Sequence, residues 1–148
     1  MTKLIVAFLS LSVATSGLAM PTDKLVQQIS THLVKVQVAL ANGGFDLGSG
    51  VVVAKDQVVT NCHVVANAIS VSVNSNGENY STSALKPDWH HDLCILKVEG
   101  LNAPVANIGS SEGLKYEQSV YTVGYAGFSP RPNSTSGFIK SLFPWMIA

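Results

Sequence analysis

The chain has 148 residues and a mass of 15.6 kDa, which is enough for one ordinary domain and short for two. Only 12% of its residues are charged, against ~25% in an average protein, and nine basic side chains balance nine acidic ones. A balanced chain has no electrostatic field to attract a polyanion, so nucleic acid is excluded as a partner. With 47% apolar residues and no block of like charges, the chain is expected to fold rather than stay disordered.

Residues 1–19 have the pattern of an export signal. Lys3 gives a positive start, residues 4–13 are apolar apart from two serines, and Gly17 and Ala19 are small residues before a cleavage point that follows Ala19. The apolar segment of about ten residues is shorter than the ~20 that cross a bilayer, so no membrane span is predicted. A buried N-terminal helix is the alternative. We expect a signal peptide and an exported protein, periplasmic or secreted.

Beyond residue 20 the periodicity predicts one helix followed by strands. Thr22 is suited to cap a short helix whose apolar residues have helical spacing, namely Leu25, Val26, Ile29 and Leu33. The period then changes to two, with Val34, Val36 and Val38 alternating with polar residues. Short β-branched runs follow at residues 50–54, 57–60, 69–73, 80–85, 93–98 and 119–123. Clusters of Asn, Gly, Ser and Pro separate them, which favours an all-β, antiparallel barrel or sandwich.

Two segments carry side chains suited to catalysis. His63 follows the predicted strand at residues 57–60, and a strand end holds a side chain rigidly while leaving it open to a cleft. Asp92 stands at the start of the apolar run at residues 93–98, where a carboxylate is costly unless a donor or a cation meets it. An imidazole held by a carboxylate is the base half of a nucleophilic triad.

The segments around these residues resemble those of trypsin-like serine proteases of the bacterial HtrA/DegP type. The resemblance rests on Gly48-Ser49-Gly50 and on residues 60–65 and 92–98, with residues 108–111 and 120–125 similar to the next two family landmarks. It implies two six-stranded antiparallel β-barrels with the active site between them. It also implies that His63 is the general base, that Asp92 orients it, that a protein or peptide is the substrate, and that no cofactor is needed.

The same resemblance assigns residues 20–128 to the first barrel and residues 129–148 to a linker and the start of the second. The nucleophile of the family lies in a Gly-x-Ser-Gly segment of the second barrel, and no such segment follows Asp92. We therefore expect a truncated chain that carries His63 and Asp92, lacks the nucleophilic serine and is inactive alone. The alternative is a non-catalytic secreted β-barrel that binds a partner, or a pseudoprotease.

Two other serines, Ser111 and Ser49, have sequence contexts that could suit a nucleophile. Ser111 lies in a literal Gly-x-Ser-x-Gly, but that motif requires a strand-to-helix elbow with Asp and His later in the chain, and no histidine follows. Ser49 stands between two glycines within a strand pattern, which favours a barrel residue where backbones approach closely. Neither is predicted to be the nucleophile.

A metal site is the alternative role for the histidines. His63, His90, His91 and Asp92 include the ligand types that zinc prefers. Adjacent residues on a strand point to opposite faces, so His90 and His91 are not expected to chelate one ion together. No metal site is predicted.

Cys62 and Cys94 are the two cysteines of the chain, and neither belongs to a Cys-x-x-Cys motif. An exported protein with an even number of cysteines usually pairs them. Cys62 precedes the predicted base, and Cys94 is two residues beyond Asp92, on the same face if both lie in one strand. If Asp92 reaches His63, the cysteines come close, so a disulfide is predicted, with two buried free thiols as the alternative.

Overall fold

The computed structural model describes residues 21–127 and 129–142. The predicted signal peptide lies outside these ranges, as do the last six residues of the predicted start of a second barrel. Within the described ranges the chain forms two short helices and nine strands, in the order α1 Asp23–Ser30, β1 Leu33–Leu40, β2 Phe45–Ala54, β3 Gln57–Thr60, α2 Cys62–Val65, β4 Ala68–Ser75, β5 Glu78–Ser81, β6 Ala84–Asp88, β7 Leu93–Lys97, β8 Ser119–Gly124 and β9 Asn133–Phe138.

The first helix begins as predicted and ends sooner. Thr22 is its N-cap, and its hydroxyl oxygen accepts a hydrogen bond from the Leu25 amide at 3.3 Å. Leu33, which was expected to continue the helical stripe, is instead the first residue of β1, where it pairs with Val51 of β2. Pairing along the whole of β1 outweighs one further apolar position on a short helix.

Seven strands form one antiparallel sheet in the order β5-β4-β1-β2-β3-β7-β6. The two outer strands, β5 and β6, are separated in sequence only by Thr82 and Ser83, so they are the two arms of one bent strand. The Thr82 amide donates to the Val71 carbonyl of β4, and the next amide, that of Ser83, donates to the Lys97 carbonyl of β7. The sheet therefore closes on itself with six strand positions, which confirms the predicted six-stranded antiparallel barrel.

The bend explains why one predicted strand is two. Residues 80–85 read as a single β-branched run, but the chain changes partner between Thr82 and Ser83. Each arm is paired along one edge, β5 with β4 and β6 with β7, and the bend between the arms is what closes the barrel.

The core fills the barrel with side chains from alternating strand positions. The three valines of β1 predicted to face inward are at most 1% exposed. They pack with fully buried residues from β2, β3, α2, β4 and β7 and from the position just after β7, namely Val52, Val58, Cys62, Val73, Cys94, Leu96 and Val98. Small β-branched side chains suit an interior as narrow as that of a six-stranded barrel.

Strands β8 and β9 form a separate two-stranded antiparallel sheet. The predicted strand at residues 119–123 is β8, and β9 begins at Asn133, inside the stretch that reads as a linker. The hairpin is tied to the barrel through Ser49 of β2, whose hydroxyl accepts from the Tyr125 amide at 2.8 Å and lies 3.3 Å from the Tyr125 carbonyl, to which it donates. The Lys35 ammonium also donates to the Ser129 carbonyl at 2.8 Å.

Candidate active site

His63 lies in α2, a single helical turn that leaves the end of β3. Cys62 and Val65, three residues apart on one side of the turn, are 0% and 4% exposed and anchor it to the core. The His63 side chain projects from the other side and is 72% exposed. The apolar residues around the histidine thus fix the turn, and the imidazole is left open for chemistry.

A glycine on β2 makes room for this turn. A Cβ atom at Gly48 would lie 2.5 Å from a methyl carbon of Val64, which is nearer than real atoms approach. Gly50, two residues on, faces the same interior and would meet Val58 at 2.5 Å. Ser49 between them points to the hairpin, so the Gly-Ser-Gly segment serves close packing on one face, as expected from the strand pattern, and docking on the other, which the sequence did not indicate.

Asp92 lies in the turn between β6 and β7, not within a strand. Its φ angle is +54°, in the left-handed region that aspartate and asparagine adopt more readily than most residues. The turn is closed by Asp88, whose carboxylate accepts from the His91 amide at 3.2 Å and from His91 Nδ1 at 2.7 Å. Sequence reasoning missed this second His–Asp pair, since it treated His90 and His91 as neighbours on a strand. They lie in the turn, with ring centroids 4.8 Å apart.

The turn brings Asp92 against His63. Asp92 Oδ1 accepts from the His63 backbone amide at 2.8 Å, and Oδ2 accepts from His63 Nδ1 at 2.6 Å. The Asp92 carbonyl accepts from the Cys62 amide at 3.2 Å. One aspartate therefore satisfies the first two free amides of α2 and orients the imidazole that the turn carries.

The hydrogen bond decides the tautomer of His63. An ionised carboxylate can only accept, so Nδ1 must carry the proton, and Nε2 of the neutral ring keeps its lone pair. The His63 amide and imidazole donors, in that order, hold the pKa of the Asp92 carboxyl below its usual value. The carboxylate stays ionised at neutral pH and can stabilise a proton that Nε2 takes up.

The disulfide between Cys62 and Cys94 locks the two segments from inside. The Cα atoms are 5.0 Å apart, and both residues are fully buried. The pair forms although the argument from a shared strand face was wrong, because Asp92 lies before β7 and its side chain is exposed. What joins the cysteines is the pairing of β3 with β7, which sets Thr60 opposite Cys94.

The other candidate residues from the sequence, Ser111 and Ser49, do not contact His63 or Asp92. Ser111 is exposed in an irregular segment between β7 and β8, without the strand-to-helix elbow that a nucleophile of its motif needs. Ser49 is committed to Tyr125. Among residues 21–127 and 129–142, no group of three or more His, Cys, Asp or Glu side chains is arranged to hold a metal ion.

Asn61, which sequence reasoning passed over, does contact the site through Asp92, and its place before a helical turn was the available signal.

The geometry agrees with a family of known enzymes. The family model for the trypsin-like peptidase domain matches residues 48–146, a range that includes both His63 and Asp92. The chain belongs to this family. The predicted resemblance is thereby confirmed for the motifs that carried it.

Curated relatives narrow the resemblance to the DegP-like branch. Probable periplasmic serine endoproteases of this type from Halomonas elongata and Hahella chejuensis are 35% and 40% identical over 98 and 96 residues. These alignments cover 65% and 64% of this chain, but 20% of each relative. A relative from Pseudomonas putida strain GB-1 is 39% identical over 80 residues, which are 53% of this chain and 17% of that one. The chain thus spans about one fifth of the length of these trypsin-like relatives.

A solved structure shares the fold. The active form of the Rv3671c protease from M. tuberculosis superposes with a TM-score of 0.66 at 27% identity, covering 88% of this chain and 59% of that one. Across the described part of this trypsin-like chain, no helix has the length and apolar character to cross a membrane.

Proposed function

We propose that this chain supplies the base half of a serine endopeptidase active site, with His63 as general base and Asp92 as the carboxylate that orients it. The observation that carries the proposal is the 2.6 Å hydrogen bond from His63 Nδ1 to Asp92 Oδ2, which makes Nδ1 the donor and, in the neutral ring, leaves Nε2 of the exposed imidazole as the acceptor. Membership of the trypsin-like family and similarity to DegP-like endoproteases support the reaction class.

The chemistry follows from the tautomer. As a serine hydroxyl attacks the scissile carbonyl carbon, its proton passes to His63 Nε2, and the imidazolium that forms is stabilised by Asp92. When the carbon–nitrogen bond breaks, the same proton passes to the leaving amine, and the histidine is neutral again. The substrate is a protein or peptide, and no step needs a cofactor.

None of the serines in the 148-residue chain is proposed as the nucleophile of this reaction. The family's Gly-x-Ser-Gly segment does not occur after Asp92, and Ser49 and Ser111 lack the setting of a nucleophile. We propose that the 148-residue chain is inactive by itself and that it is exported through residues 1–19, as its periplasmic relatives suggest.

The test joins the barrel of this chain to the nucleophile-bearing part of the Halomonas elongata relative and follows casein hydrolysis. We expect cleavage, and a fall of about 10⁴-fold or more in kcat/KM for His63→Ala, because removal of the base disables the nucleophile. The matched control is His32→Ala, since His32 lies just before β1, its Nδ1 donates to the Pro104 carbonyl at 3.1 Å away from the site, and its loss should change the rate little. Equal activity of the joined protein and its His63→Ala variant would overturn the proposal.

The 148-residue chain alone tests the assignment of the serine. Treated with a fluorophosphonate probe, it should take up no label, because no activated hydroxyl is present. Labelling that is abolished by mutation of one serine would identify a nucleophile within the chain and contradict the proposed inactivity.

A further inference from the structure

A third residue contacts the carboxylate of the candidate pair. The Nδ2 atom of Asn61 lies 3.1 Å from Asp92 Oδ2 and 3.1 Å from the Asp92 carbonyl oxygen. Oδ2 is also the oxygen that accepts from His63 Nδ1. Two donors from one side of the site thus meet on the same carboxylate oxygen.

The orientation of the Asn61 amide follows from its partners. Both neighbouring oxygens of Asp92 are acceptors only, so the NH₂ end of the side chain must face them. Asn61 is the N-cap of α2, where an asparagine usually turns its oxygen back to a helical amide, yet it makes no such capping bond. The His63 amide, which that oxygen would cap, is satisfied by Asp92 Oδ1. Asp92 therefore provides the cap that Asn61 would otherwise provide, and the Asn61 amide binds Asp92 instead.

We infer that Asn61 is a positioning residue, whose side-chain amide fixes the carboxylate of Asp92 in the plane that orients the His63 imidazole. The backbone amide and Nδ1 of His63 both donate to the Asp92 carboxylate. These two donors belong to His63, which is the residue that Asp92 has to orient. Asn61 adds a donor from outside that residue, and its second bond, to the Asp92 carbonyl, ties the carboxylate to its own backbone. The catalytic importance of Asn61 rests on the proposed function, whereas its contact with Asp92 is observed in the structure whatever the function is.

The charge on Asp92 is consistent with this arrangement. The two hydrogen bonds from His63 and its electrostatic attraction are the larger causes that keep the pKa of the Asp92 carboxyl below its usual value, and the hydrogen bond from Asn61 acts in the same direction as a smaller one. Asn61 is itself exposed, so its replacement leaves no buried cavity. A variant at this position therefore tests the hydrogen bond rather than the fold.

The experiment follows the Asp92 carboxyl carbon and the His63 Nδ1 proton by NMR in the 148-residue chain. For Asn61→Ala we expect the Asp92 titration midpoint to rise by about half a pH unit, because one donor to the ionised form is lost. The far-downfield signal of the His63 Nδ1 proton should broaden or disappear, because a less restrained carboxylate gives a bond that opens more often. Asn61→Asp keeps the shape and the N-cap preference, and it should raise the midpoint by about one unit or more, because two carboxylates would then share the site.

Asn79→Ala is the matched control. Asn79 is also exposed and also loses one side-chain hydrogen bond, from Asn74 at 2.7 Å, but it lies on β5. It should leave the Asp92 midpoint and the His63 proton unchanged. If Asn61→Ala leaves both signals as in the unmodified chain, or lowers thermal stability without moving them, the positioning role is overturned. Failure of the proposed function would instead appear as loss of casein cleavage in the joined protein, with the NMR response to Asn61→Ala still present.

Discussion

Asp92 caps a helical turn from a distant part of the chain. It is 29 residues beyond His63 in sequence, yet its carboxylate binds the His63 amide and its carbonyl binds the Cys62 amide. A capping side chain normally comes from the residue just before the helix. Because the cap and the imidazole partner are one carboxylate, any movement of Asp92 disturbs both the backbone of α2 and the tautomer of His63.

The acid dependence of stability should report this carboxylate. The Asp92 pKa is lowered in the folded chain by its His63 donors, so the folded state binds a proton less readily than the unfolded state. Its contribution to the free energy of unfolding is therefore present above pH ~4 and is lost as the pH falls through the folded pKa. We expect Asp92→Asn to be less stable than the unmodified chain at pH 7 and to approach it at low pH, as measured by urea unfolding across a pH series.

Asp88 offers a comparison for the same series. Its pKa is also lowered, by the His91 side chain first, so Asp88→Asn should remove a separate part of the acid dependence. If the difference in the free energy of unfolding between Asp92→Asn and the unmodified chain is the same at every pH, Asp92 makes no pH-dependent contribution to stability.

At the scale of elements, three connections hold α2 beside the segment formed by the β6–β7 turn and β7. The Cys62–Cys94 disulfide joins them in the core, the Asp92 cap joins them at the surface, and β3, which leads into α2, pairs with β7 from Gln57 to Thr60. One connection lies in the core beneath His63, and another lies at the surface beside its imidazole. This is why a turn of only four residues can hold an exposed imidazole in a fixed place.

Breaking the disulfide should destabilise the chain markedly. Its cysteines are 32 residues apart, and a closed loop of that length restricts the unfolded chain by about 3–4 kcal/mol in the chain-entropy model. Chemical unfolding of the oxidised chain and of the chain kept reduced measures this difference without any mutation, and Cys62→Ala with Cys94→Ala should resemble the reduced form. Two thiols that react under denaturing, non-reducing conditions would show that the bond does not form in the isolated protein.

At the scale of the molecule, a closed barrel carries a small hairpin on one side. The bent strand β5–β6 closes the barrel because its two arms pair with β4 and with β7, while β8 and β9 pair only with each other in the described ranges. A two-stranded hairpin is marginal by itself in water, so its order depends on the contacts at Ser49 and Lys35.

Ser49→Ala should therefore loosen the hairpin and spare the barrel. The Tyr125 amide would lose an acceptor worth about 0.5–1.5 kcal/mol, which corresponds to roughly 2- to 10-fold faster amide hydrogen exchange in β8 and β9. Ser70→Ala, an exposed serine on β4, is the control and should change neither region. Equal acceleration in β1 and β8 would mean that Ser49 supports the fold as a whole rather than the docking of the hairpin.

The sequence by itself determined what depends on near neighbours. Alternation of valine with polar residues gave β1 its inward face, β-branched runs bounded by turn residues gave β3 at residues 57–60, and a threonine before an amphipathic stretch gave the cap of α1. The family motifs pointed to His63 and Asp92. Each of these signals lies within a few residues, where backbone preference and side-chain period act directly.

Only the tertiary structure decided the contacts and turns that no sequence motif indicates. The change of partner at Thr82 and Ser83, the left-handed turn at Asp92 and the contact of Asn61 with a carboxylate are set by atoms far away in sequence. An asparagine before a helical turn looks the same whether its oxygen caps that turn or its amide reaches another segment. The choice depends on whether an acceptor such as Asp92 already occupies the capping position, and the closed barrel is what brings that acceptor there.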